Sequence, residues 1–242
     1  MKKLLFCLMF FAISVEAKTL SEIRSAVQYK IGDSAATVSN PRWSSAELNI
    51  RINDAQRFIA KTTHCLYVQG LSTPVAGTRE YSKPTNCISI DRVSVIQNSS
   101  ATAYNQYKKL PLVTMGGLDR DFPTWEQNLA GLPLRYYLRG DKIGFDRPFS
   151  AVYCSTGAIK IDYFKYPADM TSDSSEPYDG VDFLQNYSDV IVLGVAYKCK
   201  QDENKWNEAT TLQAEYVAEI NLMMDNLNFN TDSTVSHITI GK

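Results

Sequence analysis

The chain has 242 residues, a formal net charge of −1, 44% hydrophobic residues and 21% charged residues. This length suits one large domain or two small ones with a sizeable core, and the composition is that of an ordinary globular protein. Because a protein that grips nucleic acid by its phosphates usually carries a basic excess, the overall charge argues against a general nucleic-acid binder and leaves open only a local patch.

The first 17 residues have the pattern of a secretory signal. Lys2 and Lys3 precede an apolar run from Leu4 to Val15, and the small residue Ala17 stands where a signal peptidase cuts. The run is shorter than the roughly 20 residues that span a bilayer. The pattern predicts cleavage after Ala17, and the alternatives are a retained hydrophobic arm or a misassigned upstream start.

Two amphipathic helices are predicted next. Leu20–Ile31 repeats apolar residues at helical spacing, and Thr19 is its predicted cap. A second helix is predicted from about Ser45 to about Thr63, begun by Ser44 and Glu47 at capping-box spacing. Its apolar face needs a packing partner, which we expect in the helical region near the C-terminus. The residues expected to form the core from this part of the chain are Trp43, Leu48, Ile52, Ala55 and Ile59.

The middle of the chain, residues 66–177, is predicted to be β-structure. Gly140-Asp141 joins two short apolar runs, which is typical of a β-hairpin. Met115–Asp119 is predicted to be a loop, and residues 123–127 a single helical turn. The predicted strands are Leu66–Val68 closing at Gly70, Thr78–Tyr81, Cys87–Ile96, Tyr107–Val113 interrupted at Pro111, the hairpin strands Pro133–Arg139 and Lys142–Phe145, and Ala158–Tyr166.

Helical periodicity returns at Val181, after a polar loop over residues 168–180. Gly194 lies inside the first of these helices and costs roughly 1 kcal/mol relative to alanine, which suggests a close approach of another helix. A break is predicted over Cys199–Glu203, followed by a long helix from about Lys205 to about Leu227. The residues expected to form the core from these helices are Tyr187, Val190, Ile191, Tyr216 and Ile220.

The sequence contains no recognisable catalytic or metal-binding motif. His64 and His237 are the two histidines, and neither has an obvious partner for metal binding or nucleophilic catalysis. Two acid pairs lie in predicted turns, where aspartate is common for backbone reasons, so acid–base chemistry is the weaker interpretation. These pairs are Asp119 with Asp121 and Asp141 with Asp146.

Four cysteines follow the N-terminal segment. In an oxidising compartment they permit two disulfides in three connectivities, and buried free thiols are the equally supported alternative. No two of them show the close spacing of a metal knuckle. They are Cys65, Cys87, Cys154 and Cys199.

Seven short motifs lie in order along roughly residues 20–227. They are Trp43-x3-Glu47-Leu48-x3-Ile52-Asn53-x-Ala55-Gln56-Arg57, Thr78-Arg79-Glu80-Tyr81-x2-Pro84, Ile90-Asp91-Arg92-Val93, Trp125, Gly131-x-Pro133-x2-Tyr136-Tyr137-x2-Gly140, Ile159-x-Ile161-x-Tyr163-x3-Pro167 and Asp189-Val190-Ile191-Val192. Their order and spacing together resemble the head-to-tail adaptor (connector) proteins of tailed bacteriophages.

The resemblance agrees with the periodicity in giving an α+β fold. It implies a helical bundle built from both chain ends, residues 18–65 and 181–227, after the signal-like segment 1–17. It implies an inserted antiparallel, sandwich-like β-domain over residues 66–180. An extended C-terminal arm, residues 228–242, completes the expected organisation.

The resemblance implies a structural role without a reaction or a cofactor. The expected assembly is a ring of twelve subunits in the virion neck, beneath the portal protein and above tail or nozzle proteins, with DNA passing through the central channel. The C-terminal arm is then expected to dock on the portal through Phe229, Val235, Ile238 and Ile240. The alternative, suggested by the signal-like segment and the cysteines, is an exported periplasmic or surface β-rich binding protein.

Overall fold

A computed structural model of the protein describes residues 18–33, 41–97 and 107–228. Over these residues the fold is α+β, as predicted, and all the named strands pair antiparallel. The helices are α1 (Leu20–Ile31), α2 (Ser45–Thr63), α3 (Met115–Asp121), α4 (Asp182–Gln185), α5 (Ser188–Asp202) and α6 (Trp206–Asn228). The strands are β1 (Tyr67–Ser72), β2 (Glu80–Ser82), β3 (Cys87–Ile96), β4 (Tyr107–Lys109), β5 (Tyr136–Arg139), β6 (Lys142–Phe145) and β7 (Ile159–Lys165).

The chain divides into two compact units. One consists of Met1–Gln56 and Ala168–Lys242, and the other of Arg57–Pro167. The first therefore takes both ends of the chain and is helical in its described part, whereas the second holds both β-sheets.

The predicted cap Thr19 of α1 and the predicted capping box of α2 are both confirmed, and α1 proves to have a capping box as well. In α1, Glu22 N donates to Thr19 Oγ1, and Glu22 Oε2 accepts from Thr19 N at 2.7 Å. In α2, Glu47 N donates to Ser44 Oγ at 3.2 Å, and Ser44 N donates to Glu47 Oε2 at 2.9 Å. These bonds satisfy amides that have no partner within the helix, so local sequence is sufficient to set both starts.

Helix α5 is the central helix of the first unit and packs against both α1 and α6. It is buried on most of its circumference, as expected for a helix that is apolar on several faces. Helix α1 contributes a single apolar stripe instead. The buried residues of that stripe are Leu20, Ile23, Val27 and Ile31.

Gly194 lies where α5 passes α6, and the close approach suggested by the sequence is present. A Cβ added at Gly194 would lie 2.9 Å from Cε2 of the Tyr216 ring. Tyr216 is itself buried, so its ring has little room to give way. The glycine therefore sets the spacing between these two helices.

We expect Gly194→Ala to lower the free energy of unfolding. Overpacking a core costs about 1–3 kcal/mol, which exceeds the gain of about 1 kcal/mol in helix propensity. Urea unfolding followed by far-ultraviolet circular dichroism measures the change. Gly116→Ala in α3 is the matched control, because a Cβ there meets nothing within 4 Å. Equal effects of the two substitutions would contradict the packing argument.

The second unit contains a four-stranded sheet, in the order β1-β7-β3-β4, and a three-stranded sheet, in the order β2-β6-β5. Strands β5 and β6 form the predicted hairpin, with Gly140 at a φ of 55° in its turn. One hydrophobic cluster takes side chains from both sheets. Its buried members are Val93, Val95, Leu110, Tyr136, Ile143, Phe145, Phe149, Ile159 and Ile161.

Five of the seven predicted strands have different bounds in the structure, and the two largest differences have a clear physical cause. Strand β1 does not close at Gly70 but continues to Ser72, because the missing side chain lets the Tyr163 ring of β7 lie close to the backbone. The strand predicted over Tyr107–Val113 ends at Lys109, because Pro111 has no amide hydrogen to donate to a ladder.

Three helical predictions also need correction. The expected loop over Met115–Asp119 is helix α3, in which Thr114 Oγ1 accepts from Gly117 N at 3.1 Å and caps the first turn. The helix expected from Val181 is two helices, α4 and α5, separated after Gln185. The predicted break starting at Cys199 begins only at Glu203, where Asn204 takes a φ of 59° and turns the chain toward α6.

Candidate assembly surfaces

Trp43 and Glu203 join the beginning of α2 to the end of α5. Trp43 Nε1 donates to Glu203 Oε1 at 3.0 Å, and the Arg51 guanidinium lies 4.3 Å from the centroid of the Trp43 ring. Arg51 also pairs with Asp202 at 2.6 Å. Asp33 accepts hydrogen bonds from the Trp43 amide and the amide before it, at 2.9 and 2.8 Å. The beginning of α2 therefore contacts the end of α5 through a polar network.

The Glu203 carboxylate is the centre of this network, with 4% of its side chain exposed. Burial favours its neutral form. Hydrogen bonds from Lys205, at 2.8 Å, and from Trp43, together with the charges of Lys205 and Lys200, outweigh that effect and hold the pKa of Glu203 below its ordinary value. The carboxylate is thus charged at neutral pH and stabilises the fold in that form.

We expect Glu203→Gln to make stability less dependent on pH. A carboxyl with a lowered pKa in the folded state stabilises fully above its unfolded pKa of about 4.3, and loses that contribution as pH falls through the folded value. The variant should therefore have a lower free energy of unfolding than the parent chain at pH 7, and this difference should shrink below about pH 4. Urea unfolding at several pH values measures it. Glu219→Gln on exposed α6 surface is the control, and the hypothesis fails if both variants show the same pH profile.

Asn53 and Gln56 of α2 hold the chain where it returns from the second unit. Gln56 is fully buried; its Nε2 donates to the Ala168 carbonyl at 3.0 Å, and its Oε1 accepts from the Tyr178 amide at 3.3 Å. Asn53 binds both the amide and the carbonyl of Met170, at 2.9 and 3.2 Å. These two amide side chains belong to the first of the seven motifs, so their role in the motif is to satisfy backbone groups of residues 168–178.

The residues predicted to form the helical core lie within helices of the structure or next to them. Trp43 and Tyr187 are half-buried; Trp43 bonds Glu203, and the Tyr187 hydroxyl accepts from Asn226 at 2.9 Å. The others are buried. They are Leu48, Ile52, Ala55, Ile59, Val190, Ile191, Tyr216 and Ile220.

The acid pairs considered for acid–base chemistry do not form a shared site. Asp119 accepts from the Trp125 indole at 2.8 Å, and Asp121 pairs with its neighbour Arg120. Asp141 is exposed in the hairpin turn, whereas Asp146 is 1% exposed and accepts backbone hydrogen bonds. The contacts of Asp119, Asp121 and Asp146 therefore hold local structure together.

The cysteines and histidines show no clustering in the described ranges. Cys65, Cys87, Cys154 and Cys199 are free thiols, and burial raises the pKa of Cys65 and of Cys199 to about 11. His64 packs its ring against Phe164, and burial lowers its pKa. Within residues 18–33, 41–97 and 107–228, no group of three or more His, Cys, Asp or Glu residues is arranged to hold a metal ion.

Both units expose large apolar side chains. In the helical unit Tyr29 is 80% exposed and Trp206 is 60% exposed, whereas in the β unit Leu129 is 88% exposed. Phe122 and Leu134 are also exposed near the start of β5, where the Arg135 guanidinium lies 4.0 Å from the Phe122 ring centroid. Aromatic residues and arginine are enriched at the centres of protein interfaces.

The described part of the chain contains no helix long and apolar enough to cross a membrane. The signal-like segment 1–17 lies outside the described residues. So do His237 and the four residues of the predicted docking arm, which are Phe229, Val235, Ile238 and Ile240.

The family to which the chain belongs follows from a comparison with protein-family models. The model described as SU10 adaptor protein matches residues 18–236, which is most of the chain. The chain belongs to the SU10 adaptor protein family. The resemblance found in the seven motifs is thereby confirmed. A comparison with curated proteins found no match.

Membership makes this SU10-family adaptor a structural component of a bacteriophage virion, at the junction of head and tail. Its relevant sites are therefore surfaces for other virion proteins. The match begins at residue 18, directly after the signal-like segment, and it extends into the C-terminal arm.

Sequence reasoning missed two features of the described part of the adaptor. The first is the exposure of side chains such as Tyr29 and Trp206, because an apolar residue at helical spacing gives no sign of which side remains uncovered. The second is the position of β1 as an outermost strand among the described strands, which depends on strand order. One signal was present in the sequence, since the stretch Tyr67–Ser72 contains no charged residue and no proline.

Proposed function

We propose that this adaptor is a ring-forming subunit of the phage neck. Twelve copies form a closed ring beneath the portal protein and connect it to tail or nozzle proteins. DNA passes through the central channel without sequence-specific binding. The observation that carries the proposal is the family match over residues 18–236.

Exposed apolar residues on both units support a subunit that functions in an assembly. Single exposed apolar residues are normal, but side chains such as Leu129, Tyr29 and Trp206 gain stability when a neighbour covers them. The formal net charge of −1 also imposes little electrostatic repulsion between copies. The absence of a basic excess suits a channel through which DNA moves without being gripped.

The fine organisation proposed for the subunit follows the same resemblance. Residues 18–65 and 181–227 form a helical bundle, and residues 66–180 form an inserted, sandwich-like β-domain. The packing of α5 on α1 and α6, and the cluster shared by the two sheets, support this description. Residues 228–242 form the arm, whose apolar residues Phe229, Val235, Ile238 and Ile240 are proposed to dock on the portal.

Reconstitution with the portal protein tests the proposal. We expect the purified chain to form rings on the portal, seen by negative-stain electron microscopy and counted by mass photometry. Double substitution of Tyr29→Ser and Trp206→Ser should reduce ring formation while leaving the urea midpoint close to that of the parent chain, because both side chains are exposed. A chain that remains monomeric at every concentration with the portal present would refute the ring.

The intact mass of the native protein shows whether residues 1–17 are retained.

A further inference from the structure

Strand β1 has one edge that no described strand covers, which we call the open edge. The sheet order makes it an outermost strand, bonded to β7 on one side, and the described residues provide no strand on its other side. Lys165 N donates to Leu66 O, and residues 66 and 165 continue the register in which Tyr67 faces Phe164. Because bonded and non-bonded pairs alternate in an antiparallel ladder, the backbone groups of Tyr67, Gln69 and Leu71 point away from β7.

The open edge lacks the features that protect sheet edges in soluble proteins. Such edges are usually short, charged, interrupted by proline or covered, because free amides and carbonyls attract further strands. The opposite edge of the same sheet follows this rule, since β4 has three residues and two of them are lysines. Strand β1 has six residues, none of them charged or proline, and the side chains of Tyr67 and Leu71 are exposed. This edge is a template for strand addition.

The C-terminal arm contains a segment that matches this edge. Thr234–Ile240 reads Thr-Val-Ser-His-Ile-Thr-Ile, which is seven residues without a formal charge, against six in β1. Five of the seven are β-branched, the residue class most favoured in strands. The segment is reached from the end of α6 at Asn228 by five residues, so it is attached to every copy of the chain.

The symmetry of a ring decides which copy supplies the strand. Pairing of β1 with β1 of another copy is self-complementary and closes a dimer, whereas a ring needs two different surfaces on each subunit. An arm and an edge are two such surfaces. We propose that Thr234–Ile240 of one copy adds as a strand to the open edge of β1 in the neighbouring copy, an inference that rests on the proposed ring. Successive copies are then joined by their arms. Strand addition uses the backbone groups of the arm, so its apolar side chains stay available for the proposed contact with the portal.

Cross-linking between full-length chains tests where the arm lies. One chain carries Gln69→Cys and a distinguishably tagged chain carries Thr234→Cys, Ser236→Cys or Thr239→Cys, with Cys7, Cys87 and Cys154 replaced by serine in both. The mixture is assembled on the portal and treated with a short bis-maleimide. We expect a product containing both tags, identified by the mass of the joined peptides. Lys109→Cys on the β4 edge is the matched control and should give at least tenfold less of that product.

A proline substitution tests whether the edge itself matters. Because the Gln69 amide points away from β7, Gln69→Pro removes an outward donor without breaking the ladder and should keep the urea midpoint. We expect it to lower ring yield at least tenfold, whereas Gln69→Ser, which keeps the amide, should assemble normally.

The outcomes separate this inference from the ring itself. Rings of normal size without a β1–arm product, arms linked to the portal instead, or a product formed within single chains would each overturn the pairing and leave the ring standing. If the parent chain forms no ring with the portal but the mixed-tag product still appears, the ring fails and the pairing stands. Loss of both results refutes both.

Discussion

Asp146→Ala is expected to lower the free energy of unfolding by about 3–5 kcal/mol, the cost of breaking a buried, hydrogen-bonded ion pair. Asp146 Oδ1 accepts from the amides of Leu134 and Arg135 at 2.9 and 3.3 Å. Its Oδ2 lies 3.5 Å from the Arg135 guanidinium and 4.0 Å from that of Arg147. Alanine leaves two amides without an acceptor and two partly buried guanidinium groups without a counter-charge.

Asp146→Asn separates the two contributions. Asparagine keeps one carbonyl oxygen for the amides but removes the charge. Asp146→Asn should therefore lower the free energy of unfolding much less than Asp146→Ala does. Asp141→Ala is the matched control, because this neighbouring aspartate is exposed in the hairpin turn, and its effect should stay within about 0.5 kcal/mol. Urea unfolding gives all three values. If the alanine and control variants prove equally stable, Asp146 does not organise this part of the β unit.

Gly144→Ala is expected to cost about 3 kcal/mol, at the upper end of the range for overpacking a core. An added Cβ would overlap three atoms of the Tyr137 side chain, the farthest being the hydroxyl oxygen at 2.5 Å. The ring cannot step aside, because it packs edge-on against Trp125 and its hydroxyl donates to Glu80 Oε1 at 2.9 Å. Burial, and then the bond to Glu80, raise the pKa of Tyr137 to about 12, so the hydroxyl remains a donor at neutral pH.

A double-mutant cycle identifies the clash as the cause. Tyr137→Leu removes the ring, so Gly144→Ala should cost much less in that background than in the parent chain. Gly70→Ala is the matched strand control, because its Cβ would meet the Tyr163 ring at 3.3 Å and needs only a small adjustment. Thermal and urea unfolding measure the four corners of the cycle. Additive costs would exclude the Gly144–Tyr137 contact as the source.

Local chemistry was sufficient for much of the secondary structure. Thr19 with Glu22 and Ser44 with Glu47 set the starts of two helices through bonds that span three residues. Gly140-Asp141 identified the hairpin for the same reason. One failed prediction shows a tertiary contact overriding local preference: a strand passes through Gly70 because an aromatic ring from another strand lies over it. The missed helix α3 had a local signal instead, the cap that Thr114 provides.

For the candidate assembly surfaces, too, the sequence indicated one part and the fold showed the other. The order of short motifs along the chain was enough to indicate the adaptor family, which the family comparison confirmed. Motif order says which residues occur, but it does not say what they touch. Asn53 and Gln56 were visible as motif residues, yet their binding to backbone groups of residues 168–178, more than a hundred positions away, is apparent only in the fold.

The sequence by itself determined the α+β class, the caps and periodic faces of α1 and α2, and membership of a structural phage family, because each depends on residues close together in the chain or on motif order. Only the tertiary structure decided that Asp146 is a buried acceptor, that Gly144 makes room for a tyrosine ring, and that β1 is an outermost strand among those described. Those three facts depend on which segments become neighbours, and strand order and burial are set by packing of the whole core rather than by local propensity.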